Sequence, residues 1–205
     1  MECMKLAKVT AGHWKDSTEG ADFSRRYQFA DDCREKNKVA IGFMFREGTP
    51  FDGETDTADI RGLDSTELKA MYEQRGIKEG RAKNAAEQII RFRDWPVGTP
   101  LFLYLGRNTV DSIGYLKDSY EYDWDGHFND EYGYPHTREV EWMDVPRKFP
   151  RSELPDDFQG WLKNPQTALD YTVSPHSEEA DFLALSRGLG KALDGLGEGE
   201  LSILR

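Results

Sequence analysis

Residues 94–124 read DWPVGTPLFLYLGRNTVDSIGYLKDSYEYDW, and residues 135–144 continue PHTREVEWMD. The stretch gives an apolar strand over Leu101–Leu105, a turn at Gly106-Arg107-Asn108 and a second strand over 112–117. An aromatic and acidic loop follows, then a third strand over 139–143. Val140 and Trp142 fall on one face of that last strand and Glu139 and Glu141 on the other, the half-buried pattern of a sheet that faces water on one side. The loop carries Tyr120, Tyr122 and Trp124 in alternation, and alternate residues of an extended segment project to one side. An aromatic cluster beside a small sheet suits a flat ring, of which the nucleobase is the commonest that a nucleic-acid-binding protein stacks. A second indole, in Ala11-Gly12-His13-Trp14, is a candidate opposite wall.

Working outward, residues 5–10 read as a first strand and residues 38–45 as another, with Val39, Ile41, Phe43 and Phe45 alternating. Phe23–Glu35 reads as a helix in which Phe23, Tyr27 and Ala30 share a face. Residues 65–74 form a second helix, opened by a cap-like Ser65, and residues 81–92 a third, which Pro96 stops. Residues 48–59 are a polar loop. A short helix with Phe158, Trp161 and Leu162 lies within 156–169, and an amphipathic helix spans 178–193. Strands and helices mix without βαβ regularity. The expected class is therefore α+β, a small curved mixed sheet or β-barrel flanked by helices. The expected division is a recognition domain over residues 1–175 and a C-terminal amphipathic helix with a linker or tail over 176–205.

The chain has 205 residues and a formal net charge of -11. That acidity argues against indiscriminate nucleic-acid binding, which calls for a basic surface. It is uneven: ten acidic and four basic residues follow from Glu153 onward, so -6 of the charge sits there and -5 in the first 152 residues. No apolar run approaches a membrane span and no signal-peptide pattern opens the chain, so no membrane partner is expected. Cys3 and Cys33 are the only cysteines. They define neither a disulfide framework nor a zinc site, and a reducing, cytoplasmic setting is the expectation.

Other chemistry is not indicated. Glu121, Asp123, Asp125 and Gly126 mimic the start of a calcium loop, but its twelfth position is Tyr132 where a bidentate Glu is required. The four histidines lack zinc spacing. Gly188-Leu189-Gly190-Lys191 is not a phosphate loop, and no serine sits in a nucleophile elbow. No catalytic residue, metal or cofactor is expected.

Taken in order, KVTAGHW (8–14), KVAIGF (38–43), PVGTPLFLYL (96–105), SIGYLKDSYEYD (112–123) and HTREVEW (136–142) resemble the EVE and YTH branch of the PUA-like superfamily. The likeness is greatest to the EVE-like domains at the front of McrB-type modification-dependent restriction proteins, and it covers roughly residues 5 to 173. Phe43 stands where that family has Trp, and Gly98-Thr99 where it has Gly-Asp. The resemblance implies a binding module, not an enzyme. It would flip a modified, methylated base of DNA into an aromatic pocket and serve as the specificity head of a restriction or antiviral defence system, with a motor and nuclease fused or in trans. The pocket candidates are Trp14, Phe43, Tyr120, Tyr122 and Trp124. Lys15, Arg25, Arg26 and Arg138 are candidates for the nucleic-acid backbone. An RNA modified-base reader of the same superfamily and a nucleotide-processing enzyme are the alternative readings.

Overall fold

The computed structural model describes residues 5–11, 15–16, 20–21, 23–42, 59–106, 108–144, 147–154 and 156–172. The expected helix over 178–193 and the loop over 48–58 lie outside the described residues, as do Trp14 and Phe43.

The described strands are β1 (Lys5–Thr10), β2 (Lys15–Asp16), β3 (Gly20–Ala21), β4 (Lys38–Ile41), β5 (Pro100–Gly106), β6 (Thr109–Leu116), β7 (Glu121–Tyr122), β8 (His136–Trp142), β9 (Phe149–Pro150) and β10 (Ala168–Thr172). The helices are α1 (Phe23–Glu35), α2 (Ser65–Gln74), α3 (Glu79–Asp94), α4 (His127–Tyr132) and α5 (Asp156–Lys163), with 3-10 turns at Ile60–Gly62 and Arg151–Glu153. The main sheet runs β10-β1-β5-β6-β8-β4, with β7 on β8 and β9 on β6; β2 and β3 form a separate ribbon. It curls into an open half-barrel flanked by helices, the α+β architecture expected from the sequence. All its pairings are antiparallel except β1 with β5, where Ala7 faces Leu101 and Thr10 faces Tyr104. Register shifts around Tyr104 in the β5–β6 hairpin add local twist.

Alternation in the central strands explains why Leu101–Leu105 is continuously apolar. Ala7, Val9, Leu101, Leu103 and Leu105 enter one core with Phe29 and Cys33 of α1, Leu68 and Tyr72 of α2, and Ile89 and Phe92 of α3. Leu6, Phe102, Tyr104, Val110 and Ile113 point the other way and pack on Phe158, Trp161 and Leu162 of α5. The middle of the sheet is thus covered on both faces, and each strand residue finds an apolar layer.

Local chemistry sets the helix ends. The cap of α2 is Asp64, one residue before the expected Ser65. Its carboxylate accepts from the N–H groups of Thr66 and Glu67 while the Glu67 carboxylate takes the Asp64 N–H, a full capping box. Trp95 is buried against Phe92 at the end of α3.

Lys8 alternates with Leu6 on the α5 side of β1 and is fully buried. Its ammonium donates to the carbonyl of Asn164 at 2.7 Å and approaches that of Leu162 at 3.5 Å, closing the C-terminal end of α5. A cation suits the negative end of a helix. Burial still pulls its pKa down to about 8.

The folded state therefore holds the Lys8 proton less tightly than the unfolded chain does. Stability attributable to this residue rises as pH climbs from about 8 to the unfolded value of about 10.5. Relative to Lys8→Met, the wild type should gain about 3 kcal/mol across that window, read as the difference between their urea-unfolding free energies at each pH. A constant difference would show that Lys8 is not held against its charge.

Candidate functional site

The short strand β7 sets the site. Tyr122 pairs with His136 of β8, which on its other side pairs with Ile41 of β4. Residues opposite one another share a face, so Tyr122, His136 and Ile41 lie on one side of the sheet, and Tyr120 shares the parity of Tyr122. Glu121 and Thr137 occupy the opposite face. There the Lys38 ammonium lies 2.7 Å from Glu121 and 3.5 Å from Asp123.

The aromatic side chains form a column. Tyr120 and His136 stack at 5.8 Å, His136 and Tyr122 meet at 5.7 Å with a 49° tilt, and Tyr122 and Trp124 stack at 6.2 Å and 24°. Exposure is graded along it: His136 is 2% exposed, Tyr120 8%, and Trp124 39%. The inner end is dry and the outer end meets water.

α4 fixes the outer end. Its cap is Gly126, two residues after Trp124, and Asn129 donates from Nδ2 to the Trp124 carbonyl at 2.6 Å. The helix is tied to α1 through one carboxylate. His127 Nε2 lies 2.7 Å from Asp32 Oδ2, and the Tyr132 hydroxyl donates to the same oxygen at 2.6 Å. Arg25 donates to the Glu131 carbonyl at 2.9 Å. Phe29 meets the rings of Phe128, Tyr132 and Tyr134 edge-on at 5.2–5.9 Å. Tyr134 lies so close over Gly42 that a Cβ there would sit 2.6 Å from the ring. That is the physical reason for glycine at the end of β4. Burial raises the hydroxyl pKa of both Tyr132 and Tyr134, so neither ionises near neutrality.

The inner end is electrostatically neutral. The Tyr120 hydroxyl lies 2.7 Å from His136 Nδ1. Burial moves the His136 pKa down to about 3. The segment over this end is held by Arg93, which donates to the carbonyls of Ile60 and Leu63 at 2.6 Å each, and Arg61 pairs with Asp59.

The structure brings together three of the five aromatic candidates, Tyr120, Tyr122 and Trp124. Trp14 and Phe43 lie outside the described residues. Of the four basic candidates, Lys15 lies in β2 and its side chain is outside the described set. Arg25 is half-buried at the rim, against Glu131 and the Tyr132 ring. Arg26 is buried and donates to the Leu105 carbonyl at 2.9 Å, so its guanidinium faces the sheet rather than a phosphate. Arg138 also departs from the expected contact with the nucleic-acid backbone, being 1% exposed. Its Nη1 donates to the carbonyls of Phe92, Arg93 and Trp95 at 3.0–3.2 Å, and its Nε and Nη2 to Asp118 at 2.9 and 2.6 Å. It plugs the C-terminal end of α3 and holds the link into β7.

Sequence reasoning missed His136, Asp32, His127 and Asn129. The signal for His136 was present: it shares the parity of Arg138, Val140 and Trp142 and so faces inward. The contacts of Asp32 depend on the placing of α4 against α1, which no local pattern announces. Separately, a cleft of about 430 Å³ lies on the other side of β8, among Lys36, Lys117, Glu139, Glu141 and Trp142. Its charges balance, and the aromatic column does not line it.

Fold and site define a small α+β domain whose curled sheet carries an aromatic column opening to solvent beside a two-helix clamp. A family model described as a domain of unknown function (DUF8426) matches residues 14–163, and the chain belongs to that family. No curated protein and no solved structure matches it. No helix among the described residues is long and apolar enough to cross a membrane.

Two expectations follow from the buried groups. Arg138→Met leaves four carbonyls, two of them fully buried, without this donor and should destabilise the fold by about 3 kcal/mol or more. Arg138→Lys should recover only part of this, because an ammonium lacks the planar fork. Urea unfolding measures both, and a loss under about 1 kcal/mol for Arg138→Met would contradict the structural role. For His136, the folded pKa of about 3 lies below the unfolded 6.5, so the unfolded chain binds the proton first. Stability is then lost as pH falls from about 6.5 toward 3. Relative to His136→Phe, the wild type should lose about 4 kcal/mol by pH 3.5. A difference independent of pH would refute the buried neutral imidazole.

Proposed function

We propose that this chain is a binding module for a modified, methylated base of DNA, taken up by flipping onto the aromatic column. The observation that carries this reading is the graded column itself: a stack of rings that begins dry at His136 and ends at the half-exposed indole of Trp124. A solvent-facing indole held by a backbone hydrogen bond and a clamped helix is a stacking platform. Base–aromatic stacking contributes about 1–3 kcal/mol per base, and extruding a base costs a few kcal/mol. Two ring contacts therefore offset the extrusion, and a single one does not.

Tyr122 and Trp124 are already in contact. A ring inserted between them needs about 7 Å, twice the van der Waals contact distance, against the 6.2 Å between their centroids. The guest either parts these two rings or lies on the outer face of Trp124. In this reading the module supplies specificity to a restriction or defence system whose motor and nuclease are fused or act in trans. The overall charge of -11 makes the affinity modest and strongly salt-dependent.

Titration of short duplexes, each with an unmodified, a cytosine-modified or an adenine-modified site, at low salt tests this. A modified site should bind more tightly, and Trp124→Ala should weaken it by about tenfold or more, the worth of one stacked base. Equal binding to every duplex would refute the reading, and tighter binding to RNA versions would replace it with the RNA one.

A further inference from the structure

We infer that Lys148, laid over the Tyr27 ring, is a contact for a backbone phosphate of the bound DNA, a few base steps from the flipped base. This rests on the nucleic-acid reading above, though not on which base is held, and adds to it a residue that positions the duplex.

Two non-glycine residues among those described have positive φ, Asn37 at 51° and Lys148 at 60°. Asparagine enters the left-handed region readily, whereas a lysine there brings its Cβ against the following carbonyl. Such strain persists only where the surroundings enforce it, and it gathers at ligand clamps. Around Lys148 the enforcement is visible. Its N–H donates to the Asp111 carbonyl at 3.1 Å. The fully buried Asp111 carboxylate accepts from Ser112 Oγ at 2.6 Å and from Arg147 Nη2 at 3.2 Å on each oxygen. Arg147 reaches on to Asp31 of α1 at 2.5 Å, and Arg34 donates to the Ser112 hydroxyl at 3.0 Å. One buried carboxylate and its neighbours therefore hold residues 147 and 148 in place.

What they hold is a cation without an acid. The Lys148 ammonium lies 4.9 Å from the centroid of the Tyr27 ring, and among the described residues it pairs with no carboxylate, since Asp31 and Asp111 both go to Arg147. Tyr27 is 40% exposed. An aromatic face fixes an ammonium while leaving its outward N–H groups to water or to an anion. A phosphate oxygen suits them, and lysine and tyrosine are both common donors to the DNA backbone. The sequence did not mark this cation. Arg26 and Arg138, which it did mark, are turned inward.

Placement connects this pair with the aromatic column. α4, which follows Trp124, seats on Asp32 and Phe29 of α1, while Arg147 and Lys148 seat on Asp31 and Tyr27 of the same helix. A helix with its side chains is about 10–12 Å across, a span that one DNA strand covers in roughly three base steps. A duplex whose extruded base reaches Trp124 lays its backbone across α1 onto Lys148.

The salt dependence of duplex affinity tests this. Lys148→Gln and Lys148→Gly should each flatten the slope of log affinity against log salt by about 0.9, the share of one phosphate contact, and weaken binding at low salt about fivefold or more. The preference between modified and unmodified sites should not change. Lys83→Gln, the same loss of charge on α3, should keep the wild-type slope. Lys148→Gly should also be no less stable to urea than the wild type, because glycine accepts the left-handed backbone without strain. An equal flattening in Lys83→Gln, or a loss of stability in Lys148→Gly, would overturn the phosphate contact. If the wild type prefers modified duplexes and both Lys148 variants keep its slope, the contact fails and base binding stands. If the wild type binds modified and unmodified duplexes alike and the Lys148 variants flatten the slope, base binding fails and the contact stands. Absence of binding to any duplex ends both.

Discussion

The guanidinium of Arg138 is the constraint on which the arrangement turns. It is buried without a carboxylate, and every hydrogen bond it makes among the described residues goes to a main-chain carbonyl, three at the end of α3 and one at Asp118. Burial lowers its pKa, yet a guanidinium keeps its charge at any pH a protein meets. The partial negative charge of the helix end takes the place of an acid. Lys8 does the same for α5. Each cation sits on a central or neighbouring strand, so the two helices are fixed to the sheet by charge and dipole as well as by apolar packing. Because Asp118 leads directly into Tyr120, the bond that anchors α3 also places the start of the aromatic column.

A second layer of positioning depends on Asp32. One carboxylate receives both His127 and Tyr132, so α4 has a fixed seat on α1 despite being less than two turns long. A helix of that length has little stability of its own. Its packing against Phe29 and its ties to Asp32 supply the order, and Asn129 passes that order to the Trp124 carbonyl. The exposed indole is thus carried by a chain of contacts that runs back to the core, which is how a surface side chain acquires a defined orientation.

The central strands were legible in the sequence because their period is strict. Residues 5–10 read as β1, and the Gly106-Arg107-Asn108 turn separated β5 from β6 while leaving open a hairpin or a bend along a barrel wall; the structure pairs them as a hairpin. α2 was legible from the spacing of its apolar residues. α1 was placed along the chain, but its buried face is Phe29, Ala30 and Cys33, and Tyr27, expected on the shared face, is exposed. The parity of Arg138 with Val140 and Trp142 was also readable, but its depth was not. An arginine near a strand start looks like a surface residue until a helix end is laid over it. β7, β9 and β10 were not legible: two of them are two residues long, and all exist by pairing with strands distant in sequence. At the site, the alternation of Tyr120, Tyr122 and Trp124 identified rings that do cluster. His136 was overlooked because a histidine within HTREVEW looks like one polar residue among others, and its contact with the Tyr120 hydroxyl appears only in the folded chain.

The pairing of β1 has a consequence for how the chain reaches this state. β1 lies between β5 and β10, and both neighbours are encoded far downstream, with Ala7 beside Leu101 and Asp170. During synthesis the first strand emerges with neither edge satisfied and with Leu6, Ala7 and Val9 uncovered. Such non-local closure is slow, and unpaired strand edges invite association between chains until it is complete. A buried ammonium in the middle of that strand is then useful in a second way. Until α5 arrives to receive it, Lys8 places a charge on the open edge and discourages other strands from adding to it.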